Sequence, residues 1–400
     1  MHQQLKHAIL PQTTHDELAR QAFVNTLRTH IGSQINSKVY EIYEKQVAPR
    51  FKQEHERLPQ DRFEVRAAMG DNLLYAWSSA LKRTSQEVMW ESVESSIERQ
   101  IDDLVTKYQQ LCHGDQVNPQ PRLGSLTLDA DFTIPKYQTM VDIHCMPGGY
   151  HTDRMANDIT AGALYDRGVY LYVQGRLGPL NDGLGQALVH NYLKVQHSEW
   201  QPKRILDLGC TAGHSTLPYV DAYPDAEVYA IDIGASTLRY AHARAEDLGK
   251  RVHFSQQNAE CTNFADGYFD LIVSHLLLHE IPGFAIRNVF QECDRLLAPG
   301  GLMAHLDAPL YKDMKPFQAF VSDWETANNN EPFWSAMRDL DLEASAIEAG
   351  FAADKVIPTF IPLFMPTAVQ SQEKSSSQAD KPVARSFGSR GSWYVFAAQK

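Results

Sequence analysis

The sequence predicts an α/β fold: a parallel sheet covered by helices on both faces, built by the second half of the chain and preceded by a helical region. Three observations predict it. From about residue 203, apolar runs of strand length alternate with helical stretches, the pattern of repeated βαβ units. The first of these runs, Arg204-Ile-Leu-Asp-Leu-Gly-Cys-Thr-Ala-Gly213, ends in an acid and a turn of small residues, followed by a helix-forming stretch from His214. The first hundred or so residues instead keep apolar side chains at helical spacing.

In the helical region, Thr14-x-x-Glu17 and Thr84-x-x-Glu87 both read as capping boxes at helix starts. Val39, Tyr40, Tyr43 and Val47 keep helical spacing from Ile35. Val93, Ile97, Ile101, Leu104, Tyr108 and Leu111 keep it from Trp90. One face of each helix must be buried, either within a helical domain over residues 1–120 or against a second copy or the substrate. Residues 121–160 form a linker and lid segment, where proline, glycine and short apolar runs such as Leu123–Leu128 leave room for a strand or two.

The alternating domain, residues 161–400, opens with a helix from about Asp182 through Leu188, Tyr192 and Val195. Strands follow at about 203, 226–232, 251–256, 269–274 and 301–307, with helices after Gly213, across Leu238–Leu248 and up to Leu297. Two more apolar runs, Val356–Phe364 and Ser392–Ala397, flank a serine- and charge-rich stretch, Thr367 to Gly388, that reads as a mobile loop.

The loop Gly209–Gly213 lets backbone N–H groups approach a ligand closely. Asp232 ends the strand Glu227–Ile231, where an acid can accept both hydroxyl hydrogens of a ribose. A nucleoside-bearing cofactor is the natural ligand.

On five stretches in order, the chain resembles the class I S-adenosylmethionine (SAM) dependent methyltransferases: Asp207-Leu-Gly209-Cys-Thr-Ala-Gly213, Asp232, Asn258-Ala259-Glu260, Phe269–Ser274 and Leu296–Gly301. Thr211 stands where that family often has glycine. The resemblance implies a Rossmann-like sheet of seven strands, mostly parallel, with the last strand, Ser392–Ala397, antiparallel. It implies SAM as cofactor, bound by Asp207, Gly209, Cys210, Gly213, Asp232, Ile233, Asn258, Ala259 and Ser274. In the family the helix before the first strand often lies over the cofactor. Tyr150, Tyr165, Tyr172 and His275 are therefore the expected substrate and lid residues, tyrosine faces attracting a sulfonium cation. The whole stretch from Gly148 to Tyr172 is expected to close on ligand binding, with plain packing as the alternative.

Ser274-His275-Leu-Leu-Leu-His279-Glu280 resembles the Leu-His-Asp stretch of metal-independent O-methyltransferases of secondary metabolism, in which the histidine is the general base. On that match His279 is the base and Glu280 its neighbouring acid. The winged-helix N-terminal domain of those enzymes is not recognisable here. No Asn/Asp-Pro-Pro-aromatic sequence follows the fourth strand, unlike the amino methyltransferases of nucleic acid and glutamine. Asp270 begins its strand, unlike the metal-dependent catechol type. His144, Cys145 and His151 lack a further well-placed ligand, so no metal is expected.

The expected function is methyl transfer from SAM to an oxygen, with nitrogen as the alternative, of a small-molecule metabolite. A nicotinamide dehydrogenase is disfavoured because Gly209-x-x-x-Gly213 lacks the Gly-x-Gly-x-x-Gly spacing; a non-catalytic SAM-binding scaffold is the other reading. A formal charge of -12 argues against nucleic-acid and anionic-membrane surfaces, which need a cationic field. Five cysteines without metal-like spacing, no signal-peptide core and no apolar membrane span point to a reducing cytoplasm, with a homodimer through the N-terminal helices as a possible assembly.

Overall fold

Ile205, Leu206 and Leu208 of one strand, and Leu271, Ile272 and Val273 of its neighbour, are at most 1% exposed, so the centre of the sheet is covered on both faces. The computed structural model describes residues 4–113, 122–364 and 392–400. Its eight strands are β1 (Ser125–Thr127), β2 (Arg204–Leu208), β3 (Glu227–Asp232), β4 (His253–Gln256), β5 (Phe269–His275), β6 (Leu297–Asp307), β7 (Val356–Pro362) and β8 (Ser392–Gln399). They lie in the order β1-β4-β3-β2-β5-β6-β8-β7. Pairings from β1 to β6 are parallel, and β8 runs antiparallel to both β6 and β7. Chain order reverses on either side of β2, and ligands of such sheets bind in the crevice that this reversal opens at the strand ends.

The sheet has one strand more than the seven expected. The extra strand comes from the Leu123–Leu128 run, which pairs with the β4 edge from Ser125↔His253 to Thr127↔Ser255. Gly124 makes this approach possible, because a Cβ there would lie 2.0 Å from the Val252 carbonyl oxygen. A strand of three residues has too little alternation to be read with certainty from sequence.

The capping box at Thr14 forms as expected: its Oγ accepts the Glu17 N–H at 3.3 Å and Glu17 Oε2 accepts the Thr14 N–H at 2.7 Å, opening helix His15–His30. The second expected helix start fails. Thr84 lies inside the helix Leu73–Glu98, which is capped by Asn72, and Glu87 pairs with Arg83 instead. No breaker separates Leu73 from Thr84, so the helix runs through the pattern.

Helix Leu73–Glu98 packs on His15–His30 and on Thr160–Tyr172, and Thr160–Tyr172 packs on Ala235–Asp247 behind β3. Two glycines set these approaches: a Cβ at Gly168 would meet the Trp90 ring at 2.0 Å, and one at Gly162 would meet Tyr240 at 2.3 Å. Val39, Val65 and Met69 share a buried cluster with Phe320 and Trp324 of helix Pro316–Asn328, contributed from after β6. The serine-rich stretch Thr367 to Gly388 lies outside the described residues. Among the described residues no helix is long and apolar enough to cross a membrane.

Candidate active site

After β2 the chain turns through Gly209, Thr211 and Gly213 at φ 70°, 48° and 71°. Glycine suits such angles, whereas the β-branched Thr211 holds its angle at a cost of roughly 1 kcal/mol or more. The N–H groups of Gly209 and Cys210 both donate to the Ile231 carbonyl, at 2.8 and 3.0 Å, which fixes the loop against β3. Helix formation waits until Leu217, beyond the turn.

Asp232 stands at the end of β3. Its Oδ2 accepts the Thr211 N–H and its Oδ1 the Gly234 N–H, both at 2.9 Å. Burial raises its pKa, opposed by these N–H groups. Asp207 is turned elsewhere: it accepts the Thr216 hydroxyl at 2.6 Å and lies 3.3 Å from His275 Nδ1.

A cleft opens here at the strand ends. Of the expected cofactor residues, Gly209, Asp232, Ile233, Asn258 and Ala259 line it, as do Tyr150, Tyr165, His275, His279 and Glu280. Asp207, Cys210, Gly213, Ser274 and Tyr172 do not stand among its lining residues. Ser274 is fully buried with its hydroxyl 2.7 Å from His305 Nδ1, because side chains of β5 alternate and its neighbour His275 takes the cleft side. Cys210 is buried behind the loop, which pushes its thiol pKa well up. Tyr172 is covered by the Arg28 guanidinium, 4.7 Å from its ring centre.

The far end of the cleft gathers acids and histidines. His279 follows β5 in the short turn Leu278–Glu280, stacks on Trp334 at 4.3 Å and is 1% exposed. Its Nδ1 lies 2.6 Å from Asp307 Oδ1, and its Nε2 has no hydrogen-bond partner among the described residues. Burial lowers its pKa, but the Asp307 carboxylate, with Glu280 and Glu331, outweighs burial and raises it. His144 sits between two carboxylates, Nε2 2.9 Å from Glu280 Oε1 and Nδ1 2.6 Å from Glu331 Oε1. Against burial, these acids hold its pKa well above the ordinary imidazole value. Tyr150 donates to Glu280 Oε1 at 3.1 Å.

Sequence reasoning missed Asp307 and Glu331 and set His144 aside. Asp307 carried a signal, an acid ending the strand beside β5. Glu331 carried none, since it follows a run of asparagines with no motif. Cys145 and His151, read with His144, are not in the cluster.

A family model for a methyltransferase domain matches residues 205–301. An uncharacterized methyltransferase of Synechocystis is 30% identical over 189 residues, 46% of this chain and 82% of that protein. The demethylmenaquinone methyltransferase of Thermus thermophilus is 33% identical over 111 residues, 28% of this chain and 50% of that enzyme. Among solved structures, phosphoethanolamine N-methyltransferase 2 of Haemonchus contortus aligns over 59% of this chain and 57% of its own at 18% identity, with a TM-score of 0.41. The chain belongs to the class I SAM-dependent methyltransferases, and its cofactor is S-adenosylmethionine. It spans half the length or less of the first three curated relatives it matches. The cleft fits that cofactor on its own geometry. Asp232 is immobilised at its wall, and Gly209 leaves space that a Cβ, 2.9 Å from Leu277 Cδ1, would fill.

Proposed function

We propose that this methyltransferase acts on an oxygen, with nitrogen as the second choice, of a small-molecule metabolite seated between Asp232 and His279. Bound SAM supplies an electrophilic methyl group on a cationic sulfur. Asp232 accepts the ribose hydroxyls, while Gly209 and Thr211, with Ile233, Asn258 and Ala259, form the rest of the cradle; Asp207, Cys210, Gly213 and Ser274 support it from behind. The faces of Tyr150 and Tyr165 surround the cationic centre and exclude water, leaving positioning to supply much of the rate. His279 takes the acceptor's proton.

The observation that carries this reading is the state of His279. One ring nitrogen is held at 2.6 Å by Asp307 and the other has no hydrogen-bond partner among the described residues, in a ring that lines the cleft. That is the arrangement of an oriented base. His279→Ala should therefore lower kcat by about 10²–10⁴-fold while leaving SAM affinity nearly intact. A variant keeping more than about a third of wild-type kcat across roughly pH 6–9 removes His279 from the mechanism.

A net charge of -12 disfavours nucleic acid as acceptor. A homodimer is the proposed assembly. Leu73 and Trp77, one turn apart on the same helix and 86% and 56% exposed, leave an apolar strip for a second copy. A monomer in sedimentation velocity at working concentration rejects it.

A further inference from the structure

We infer that His144, His279 and Glu280 form a binding site for a divalent first-row transition-metal ion at the acceptor end of the cleft. The Nε2 atoms of both histidines converge on one carboxylate oxygen, Glu280 Oε1, at 2.9 Å from His144 and 3.6 Å from His279. Ligand atoms about 2.1 Å from an ion lie about 3.0 Å apart at an octahedral edge and about 3.4 Å at a tetrahedral one, so these separations bracket what an ion imposes. With Glu331, the potential ligand atoms all lie within 4.8 Å of one another.

The surroundings of the two rings carry the inference further. Each ring has its Nδ1 on a carboxylate: His279 on Asp307 and His144 on Glu331, both at 2.6 Å. Metal-binding histidines are held in this way, the outer acid fixing the ring so that Nε2 faces the ion. Here the two outer acids and the shared inner one come from three separate places in the chain. His279 Nε2, Glu280 Oε2 and Glu331 Oε2 are buried without hydrogen-bond partners among the described residues. The His279 side chain is 1% exposed and that of Glu331 0%. Buried polar atoms are normally paired, and a group of unpaired ones in one cluster lacks a partner that an ion supplies.

Two imidazoles and one carboxylate with positions left open suit Fe²⁺, Mn²⁺, Co²⁺ or Zn²⁺ better than Mg²⁺ or Ca²⁺, which take oxygen ligands. The consequence for catalysis rests on the proposed reading that the acceptor sits here. An acceptor hydroxyl bound at an open position loses its proton more easily, the proton passing to solvent water and the oxygen keeping its electron pair. His279 Nε2 is then a ligand, and the ion takes over the activation that the ring performs without it. No oxidation or reduction is involved.

The test uses the full chain stripped with EDTA and dialysed against Co²⁺, Zn²⁺ or Mn²⁺, with metal per chain measured by mass spectrometry and Co²⁺ followed by its d–d absorption. One ion per chain is expected. Uptake should be abolished by His144→Ala and by the isosteric Glu280→Gln, and weakened about 10–100-fold by Asp307→Asn or Glu331→Gln. SAM affinity by calorimetry, unchanged in these variants, shows that they are folded. No saturable uptake by the wild type, or uptake untouched by His144→Ala and Glu280→Gln, overturns the site. If His279→Ala still abolishes transfer when no ion binds, the acceptor reading survives and the metal site does not. If an ion binds but labelled SAM marks no acceptor in cell extract, the site stands and the acceptor reading fails.

Discussion

Asp232→Ala tests how the chain holds its cofactor. The carboxylate is 8% exposed, and each oxygen already accepts one backbone N–H at 2.9 Å, from Thr211 and Gly234. That leaves lone pairs free for two ribose hydroxyls. Loss of a charged acceptor costs about 1.5–3 kcal/mol of binding, or roughly tenfold to a hundredfold in SAM affinity. Stability should change less, because removing a buried carboxylate relieves its desolvation while stranding the Thr211 and Gly234 N–H groups. Asp232→Asn should fall between, since one end of its amide must turn an N–H toward a backbone N–H that now has no acceptor. Calorimetry with SAM and with S-adenosylhomocysteine, alongside a thermal melt of the ligand-free protein, separates binding from folding. A Kd within about twofold of wild type, in a variant that melts normally, refutes the assignment.

Further outcomes are expected elsewhere. Burial pushes the His305 pKa down to about 4, so folding favours its neutral form; the unfolded chain takes up a proton below about 6.5, and stability is lost as pH falls from about 6.5 to about 4. The loss attributable to this ring is on the order of 3 kcal/mol; urea unfolding across that range should show a flatter pH profile for His305→Gln, and an identical one rejects the account. Gly168→Ala drives a methyl into the Trp90 ring and should cost about 1–3 kcal/mol in the same assay; no measurable loss shows that the helices part freely. In hydrogen exchange, S-adenosylhomocysteine should increase protection over residues 148–157, where Gly148 and Gly149 hold turns at φ 75° and 60°. Helix Thr160–Tyr172, already largely buried, should be protected in both states; unchanged exchange across 148–157 leaves only packing for that stretch.

The arrangement at the ends of β2 and β3 was legible in the sequence because it is local. A strand, a turn of small residues and an acid at the next strand end are consecutive in the chain, and the backbone alone brings Gly209 to Ile231 and Asp232 to Thr211. Strand alternation likewise anticipated a sheet buried on both faces. The sequence places both Ser274, as a cofactor residue, and His275, as a substrate residue, at the cleft, but the pleat divides them: His275 lines the cleft while Ser274 turns into the core beside His305. Gly162 and Gly168, within the stretch expected to close on ligand binding, are the points where two aromatic rings press against a helix. At the far end of the cleft only His279 and Glu280, which follow β5, were legible in the sequence, and the rest was decided by tertiary structure. His144, Glu280, Asp307 and Glu331 come from a linker, a turn, a strand end and a loop, and no period or spacing relates them. Only the packing of the helical region and the segments after β6 onto the strand ends brings them within bonding distance of one another and of His279, and there burial converts five ordinary polar residues into one electrostatic unit.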